Sequence, residues 1–193
     1  MLPRMQIPIE ISARHVHLSP ADLESLFGAG YVLRVKSELS QTGEFAAEES
    51  IRLIGPRGEL KARIVGPLRS RSQVELSQSD ARALGVDVPL RLSGDLDRSA
   101  DLYVVGPNGE AILREAVIVP RRHIHMALTT ATEMGIHDGQ SVAVKITGER
   151  GGILENVIVR TGENFRTSLH LDTDEGNALG IDTGNTSGEL VII

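Results

Sequence analysis

The sequence predicts a mainly β protein with short helices, arranged as two pseudo-repeated small β-barrels. Three observations lead there. The chain of 193 residues is 40% hydrophobic but only 3% aromatic, so its core must be aliphatic. Many of those core candidates are β-branched, and with 20 glycines they favour short strands and tight turns over long helices. Short apolar segments also recur at about 8–12-residue spacing, the pattern of small barrels. Finally, the chain repeats itself. Arg14-His15-Val16-His17 returns as Arg122-His123-Ile124-His125. The segment from Val74 through Glu75 and Ala83-Leu84-Gly85-Val86-Asp87 returns from Leu169 through His170 and Ala178-Leu179-Gly180-Ile181-Asp182.

The elements follow in order. Strands are expected at 6–13, 31–36, 51–54, 60–65, 72–76, 88–93, 101–105, 111–119, 141–147, 153–160, 167–171 and 189–193. Short helices are expected after each His pair, at 20–27 and 127–134, and after each later strand, at 78–84 and 174–179. Ser19 is placed to cap the first helix with Pro20 at its first position. Ser77 and Asp172 occupy the same capping place in the repeated segment, and Gly85 and Gly180 the stop. Gly55-Pro56-Arg57-Gly58-Glu59 and Gly106-Pro107-Asn108-Gly109-Glu110 both read as hairpin turns. The repeat divides the chain into halves at 1–100 and 101–193, with the join between 94 and 120. Neither half is large enough to be comfortable alone.

Composition narrows the function. The net charge of −6 and the lack of a Lys/Arg run argue against nucleic-acid binding. No run of 18 apolar residues exists to span a membrane. The first residues lack a signal-peptide pattern, so a cytoplasmic protein is expected. Cysteine is absent, which excludes disulfides, thiolate zinc sites and a cysteine nucleophile.

The repeated histidines carry the chemistry. On a strand, residues i and i+2 share a face, so His15 and His17 project together, as do His123 and His125. One such pair alone reads as polar strand positions. Two pairs inside a longer repeat read as a metal site built twice. Catalytic zinc takes three protein ligands and keeps one position open. The repeat supplies the third at one matched place, Glu75 in the first half and His170 in the second. The expected sets are His15, His17 and Glu75, and His123, His125 and His170. His137 has no repeat partner and reads as surface. Arg69 and Arg71 precede Glu75 as Arg166 precedes His170, and a guanidinium suits phosphate or carboxylate.

Several segments together resemble one family. Arg14-His15-Val16-His17-Leu18-Ser19, Gln73-Val74-Glu75-Leu76-Ser77, Arg122-His123-Ile124-His125-Met126 and His170-Leu171-Asp172-Thr173-Asp174-Glu175-Gly176-Asn177-Ala178 are similar to the motifs of the propanediol-utilisation-type phosphotransacylases, the phosphate propanoyltransferases. The resemblance runs from about residue 6 to 192. It implies two barrels that exchange strands, with the N-terminal strand pairing in the second half and a dinuclear zinc site between them. It implies transfer of an acyl group between coenzyme A and inorganic phosphate. The family's ligands fall on the six residues the repeat gives. Its phosphate-binding arginine falls on Arg69, and its coenzyme A contacts on Ser12, Lys36, Arg63 and Asn177. Thr42 stands where the family usually has proline, and Gly176 where it usually has alanine. A homodimer is implied, with an acyl kinase as the metabolic partner downstream. The N-terminus lacks the helical extension that takes some members into a bacterial microcompartment.

The expected reaction converts propanoyl- or acetyl-CoA and phosphate reversibly into acyl phosphate and coenzyme A at two zinc ions, or other divalent ions of similar ligand preference. Two other readings stay open on the residues alone. One is a dinuclear metallohydrolase. The other is a non-catalytic scaffold stabilised by zinc.

Overall fold

The computed structural model describes residues 5–181 and 186–191. Asp182 of the repeat and the last two residues of the expected final strand lie outside that range. The described residues are mainly β with four short helices. By contact it divides into two compact units. One is Ala13–Pro120, and the other combines Met1–Ser12 with Arg121–Ile193.

In the Ala13–Pro120 unit, six strands close a ring. They are β2 (His15–His17), β4 (Phe45–Gly55), β5 (Gly58–Gly66), β6 (Gln73–Glu75), β8 (Ala100–Val105) and β9 (Glu110–Pro120). The ring order is β2-β6-β9-β8-β4-β5, with β5 returning to β2. Two short strands, β3 (Val35–Glu38) and β7 (Leu90–Arg91), extend β4 and β9. Val16, Leu53, Ile64, Val74, Val104 and Val117 fill the core. Removal of such side chains from water is the main stabilising term.

The second unit closes a barrel from β1 (Gln6–Ser12), β10 (His123–Ala127), β11 (Ser141–Ile146), β12 (Gly152–Gly162), β13 (Ser168–Asp172) and β14 (Ser187–Val191). Each strand has a counterpart in the first ring. β10 lies antiparallel to β13 and parallel to β12, as β2 does to β6 and β5. β1 takes the place that β9 holds in the other ring. The strand leading into each His-x-His strand therefore completes the opposite barrel. For the same reason the compact units do not coincide with halves cut at residue 100: β8 and β9 pair with β4 and β6, not with later strands.

The helices are α1 (Pro20–Phe27), α2 (Gln78–Leu84), α3 (Leu128–Met134) and α4 (Thr173–Ala178). Ser19, Ser77 and Asp172 accept the N–H of the third helical residue, and Asp172 forms a reciprocal capping box with Glu175. The two Gly-Pro turns have a further task. A Cβ on Gly55 would lie 2.2 Å from the Leu84 carbonyl oxygen, and one on Gly106 2.5 Å from that of Leu26. Each hairpin tip thus seats against the end of a helix, where Arg57 N–H and Asn108 N–H donate to those same carbonyls.

Five strands differ most from the sequence expectation: the His-x-His strands β2 and β10 have no span of their own among the expected positions, and β3, β4 and β7 have other bounds. β4 begins at Phe45, six residues before the expected start at 51. Its inward positions alternate correctly, but one is Glu49, buried under Tyr31 Oη at 2.8 Å and Arg34 Nε at 3.0 Å. β3 starts at Val35, since Tyr31 packs on Phe27 and bonds Glu49 instead of entering the sheet. β7 is only two residues long. Among the described residues no helix is long and apolar enough to cross a membrane.

Candidate metal centre

Among the described residues two groups of side chains could hold a metal ion, one in each unit: His15, His17 and Glu75, and His123, His125 and His170. Within each group one ligand atom per residue lies within 4.8 Å of the others. Strand register brings them together. His15 is paired directly with Glu75, and His123 directly with His170, so each third member faces the same way as its histidine pair. Val16 and Ile124 between the histidines are fully buried on the core side.

The rings are held ready for a cation. His15 Nδ1 lies 2.9 Å from the Ala13 carbonyl, His17 Nδ1 3.0 Å from that of Val65, and His123 Nδ1 2.9 Å from that of Arg121. A carbonyl only accepts, so each Nδ1 carries the proton and Nε2 keeps its lone pair for a ligand bond. His15 Nε2 stands 3.6 Å from Glu75 Oε2. The His123 and His170 rings stack with centroids 5.1 Å apart, and His125 meets His170 edge-on at 4.6 Å. Phe165 covers the His125 ring at 4.3 Å. Gly162 leaves room for Phe165, since a Cβ there would fall 2.8 Å from its ring.

Electrostatics keep the first group in its ligating state. Burial, then the neighbouring His15 and Arg69 charges, lower the His17 pKa to about 3, so this imidazole stays neutral. Burial pushes the Glu75 carboxyl upward. Interaction with the His15 and His17 imidazoles, the Ser93 hydroxyl and Arg69 overcomes that and holds it below the usual range, ionised. Three residues support this carboxylate. Gln73, itself buried, donates from Nε2 to Glu75 Oε1 and to Ser93 Oγ at 2.9 Å. Arg69 donates to the same Ser93 Oγ at 3.3 Å and lies 3.7 Å from Glu44. Gly94 N–H fixes the Gln73 carbonyl at 2.9 Å. In the second group Ser168 takes the place of Gln73: it pairs with His125, and its Oγ lies 2.9 Å from His170 Nε2.

The sequence reading gave Gln73, Ser93 and Ser168 no role. It also missed a pair of matched ion pairs. Arg14 reaches Asp80 Oδ1 at 2.8 Å, and Arg122 reaches Glu175 at 3.5 Å. Each ties the residue before a His-x-His strand to the first turn of a helix following the third ligand. The signal was there, because Asp80 and Glu175 are equivalent in the repeat.

The chain also compares closely with known proteins. The profile of the phosphate propanoyltransferases matches residues 8–182. The chain belongs to the phosphate propanoyltransferase family. It is 49% identical over 188 residues to the phosphate propanoyltransferase of Shewanella putrefaciens, covering 96% of this chain and 89% of that protein. With the Salmonella typhimurium phosphate propanoyltransferase it shares 45% identity, covering 96% and 89%. With that of Thermotoga maritima it shares 43%, covering 93% and 86%. Family membership makes the protein an acyltransferase.

The remaining residues expected from the family resemblance fall in two places. Ser12 pairs with Asp172, the cap of the helix that carries Asn177. Lys36 is exposed on β3, whose neighbours Val35 and Ser37 pair with Ala47 and Ala46, while Arg63 NH1 donates to the Ala47 carbonyl at 2.6 Å. Arg71 turns away to Glu115, and Arg166 and His137 are exposed.

Proposed function

We propose that this phosphate propanoyltransferase family member converts propanoyl-CoA or acetyl-CoA and inorganic phosphate, reversibly, into the acyl phosphate and coenzyme A. In this reading His15, His17 and Glu75 hold one zinc ion, and His123, His125 and His170 a second. The observation that carries it is the doubled set: two three-ligand groups at equivalent positions, with three ring protons fixed on Nδ1 by backbone carbonyls. Three ligands leave a coordination position for substrate, unlike a closed structural site. When bound, such ions supply Lewis acidity toward phosphate and carbonyl oxygens.

The chain's own residues do the rest. Arg69 binds phosphate, and the Ser93 hydroxyl, bridging Arg69 to Gln73, sets its guanidinium beside the first ligand group. Ser12, Lys36, Arg63 and Asn177 hold coenzyme A. A phosphate oxygen attacks the thioester carbonyl carbon. A C–O bond forms, the C–S bond breaks, and coenzyme A leaves as thiolate with the electron pair. Direct transfer fits a chain without cysteine.

The test is thiol release from propanoyl-CoA by metal-analysed protein, with and without phosphate. Phosphate-dependent thiol release with acyl phosphate as product is expected. Free acid as the product would make the protein a hydrolase, and no turnover with metal bound would make the sites structural. Acetyl and propanoyl groups differ by one methylene, worth about 1–3 kcal/mol, so both should turn over.

A further inference from the structure

Arg160 lies in β12, where Val157 and Val159 point into the core and Arg160 projects from the opposite face, half-buried. Its register partner is His125, as Ile158 is that of His123. Adjacent strands lie about 4.8 Å apart, and paired residues share a face, so the Arg160 side chain leaves the sheet on the same side as His125, next to the second ligand group. Among the described residues the Arg160 side chain makes no hydrogen bond and no ion pair. The arginine beside the first group differs. Arg63, the partner of His15, is tied to the Ala47 and Glu48 carbonyls.

Charge says what Arg160 waits for. The first group contains a carboxylate among its ligands, whereas the second consists of three imidazoles, and the carboxylate in register with it, Glu10 opposite His170 on β1, stands on the side away from β12. A divalent ion there would gain no charge from its ligands, and on the β12 side Arg160 would add another positive charge. Two cations side by side repel unless an anion joins them. Phosphate at neutral pH brings between one and two negative charges, and its oxygens match the planar fork of a guanidinium.

The geometry points to Arg160 as a phosphate-binding residue, gripping the oxygens of the phosphate or acyl phosphate beside His125. This deepens the proposed phosphate acyl transfer and rests on it.

The experiment compares wild type with Arg160→Met and Arg160→Lys, each as full-length metal-analysed protein. Calorimetry measures binding of inorganic phosphate, and steady-state thiol release gives KM for phosphate and for propanoyl-CoA. Arg160→Met should keep its metal and melting midpoint, while Kd and KM for phosphate rise roughly 10–100-fold, the value of losing charge-assisted hydrogen bonds. KM for propanoyl-CoA should hold, and Arg160→Lys should recover part of the loss. A phosphate Kd within about twofold of wild type would overturn the assignment. So would a change confined to propanoyl-CoA, which would put Arg160 on coenzyme A, or loss of metal, which would make it a support of the ligands. Wild type lacking phosphate-dependent thiol release would sink the acyl-transfer reading instead, whatever calorimetry shows for Arg160.

Discussion

The two ligand groups share one scaffold and differ in one residue. Both sit on a short His-x-His strand, antiparallel to the strand that brings the third member and parallel to another. Both have a buried polar residue two positions before that third member, Gln73 or Ser168, in contact with it. Yet one group ends in Glu75 and the other in His170. The backbone was kept through the repeat while the charge was changed. The supporting residues changed with it. A carboxylate needs donors, and Gln73 and Ser93 supply them; an imidazole needs only a hydroxyl.

The comparison breaks most severely if one group is destroyed. His123→Ala should lower bound metal by one ion per chain and cut phosphate-dependent thiol release by roughly three orders of magnitude or more. Metal analysis beside the assay checks it, and full activity with that ion gone would end the metal reading. Next comes the exchange of charge. Glu75→His should keep a ligand and retain metal, but remove the negative charge that distinguishes the two groups. Activity should fall roughly 10–100-fold, and restoring the balance with His170→Glu in the same chain should not return it, because Gln73 and Ser168 would then face the wrong partners.

Smaller effects test the supports. Gln73→Leu strips Glu75 of a buried donor and should weaken metal affinity about 10–100-fold in chelator competition, more than Ser168→Ala does at His170. The matched ion pairs should also differ. The Asp80 side chain is 9% exposed with Arg14 at 2.8 Å, whereas Glu175 is 24% exposed with Arg122 at 3.5 Å. Asp80→Asn should cost about 1–3 kcal/mol in denaturant unfolding, and Glu175→Gln about 1 kcal/mol or less. The smallest change is Gly176→Ala. Its Cβ would come within 2.6 Å of Ile11 Cδ1, the tip of a flexible side chain. Rotation of that tip should hold the effect to about 0.5 kcal/mol.

The parts of this molecule written locally were legible in its sequence. Helix starts at Ser19, Ser77 and Asp172 depend on one side chain and a nearby N–H, and all three cap as expected. The two Gly-Pro hairpins are equally local. The groupings around His15 and His123 could be read because duplication printed the same pattern twice, and strand periodicity turned it into geometry. What depended on distant partners was hidden. Glu49 disguises an inward position of β4 because its neutralising partners, Tyr31 and Arg34, come from another segment. Ser93 gained its place beside Glu75 through the turn after the two-residue β7, where a strand reaching residue 93 was expected. Arg14 and Arg122 stood in the motif itself, but their roles needed the fold to bring Asp80 and Glu175 to them.

The exchange of β1 and β9 bears on how the chain is made. Every strand of the Ala13–Pro120 ring lies in one continuous stretch, so that ring can close while later residues are still being synthesised. β1 emerges first but must wait for β13 and β14 before it has neighbours. Its antiparallel partner β14 ends beside its beginning, with Glu189 opposite Gln6, just as β8 runs into β9 through the 106–109 turn. A short turn joining β14 to β1, with the chain reopened between Ser12 and Ala13, would make both barrels continuous. The natural order of strands is thus one of two ways to write the same pair of barrels, and it leaves β1, which precedes every other strand described, as the last to find its place.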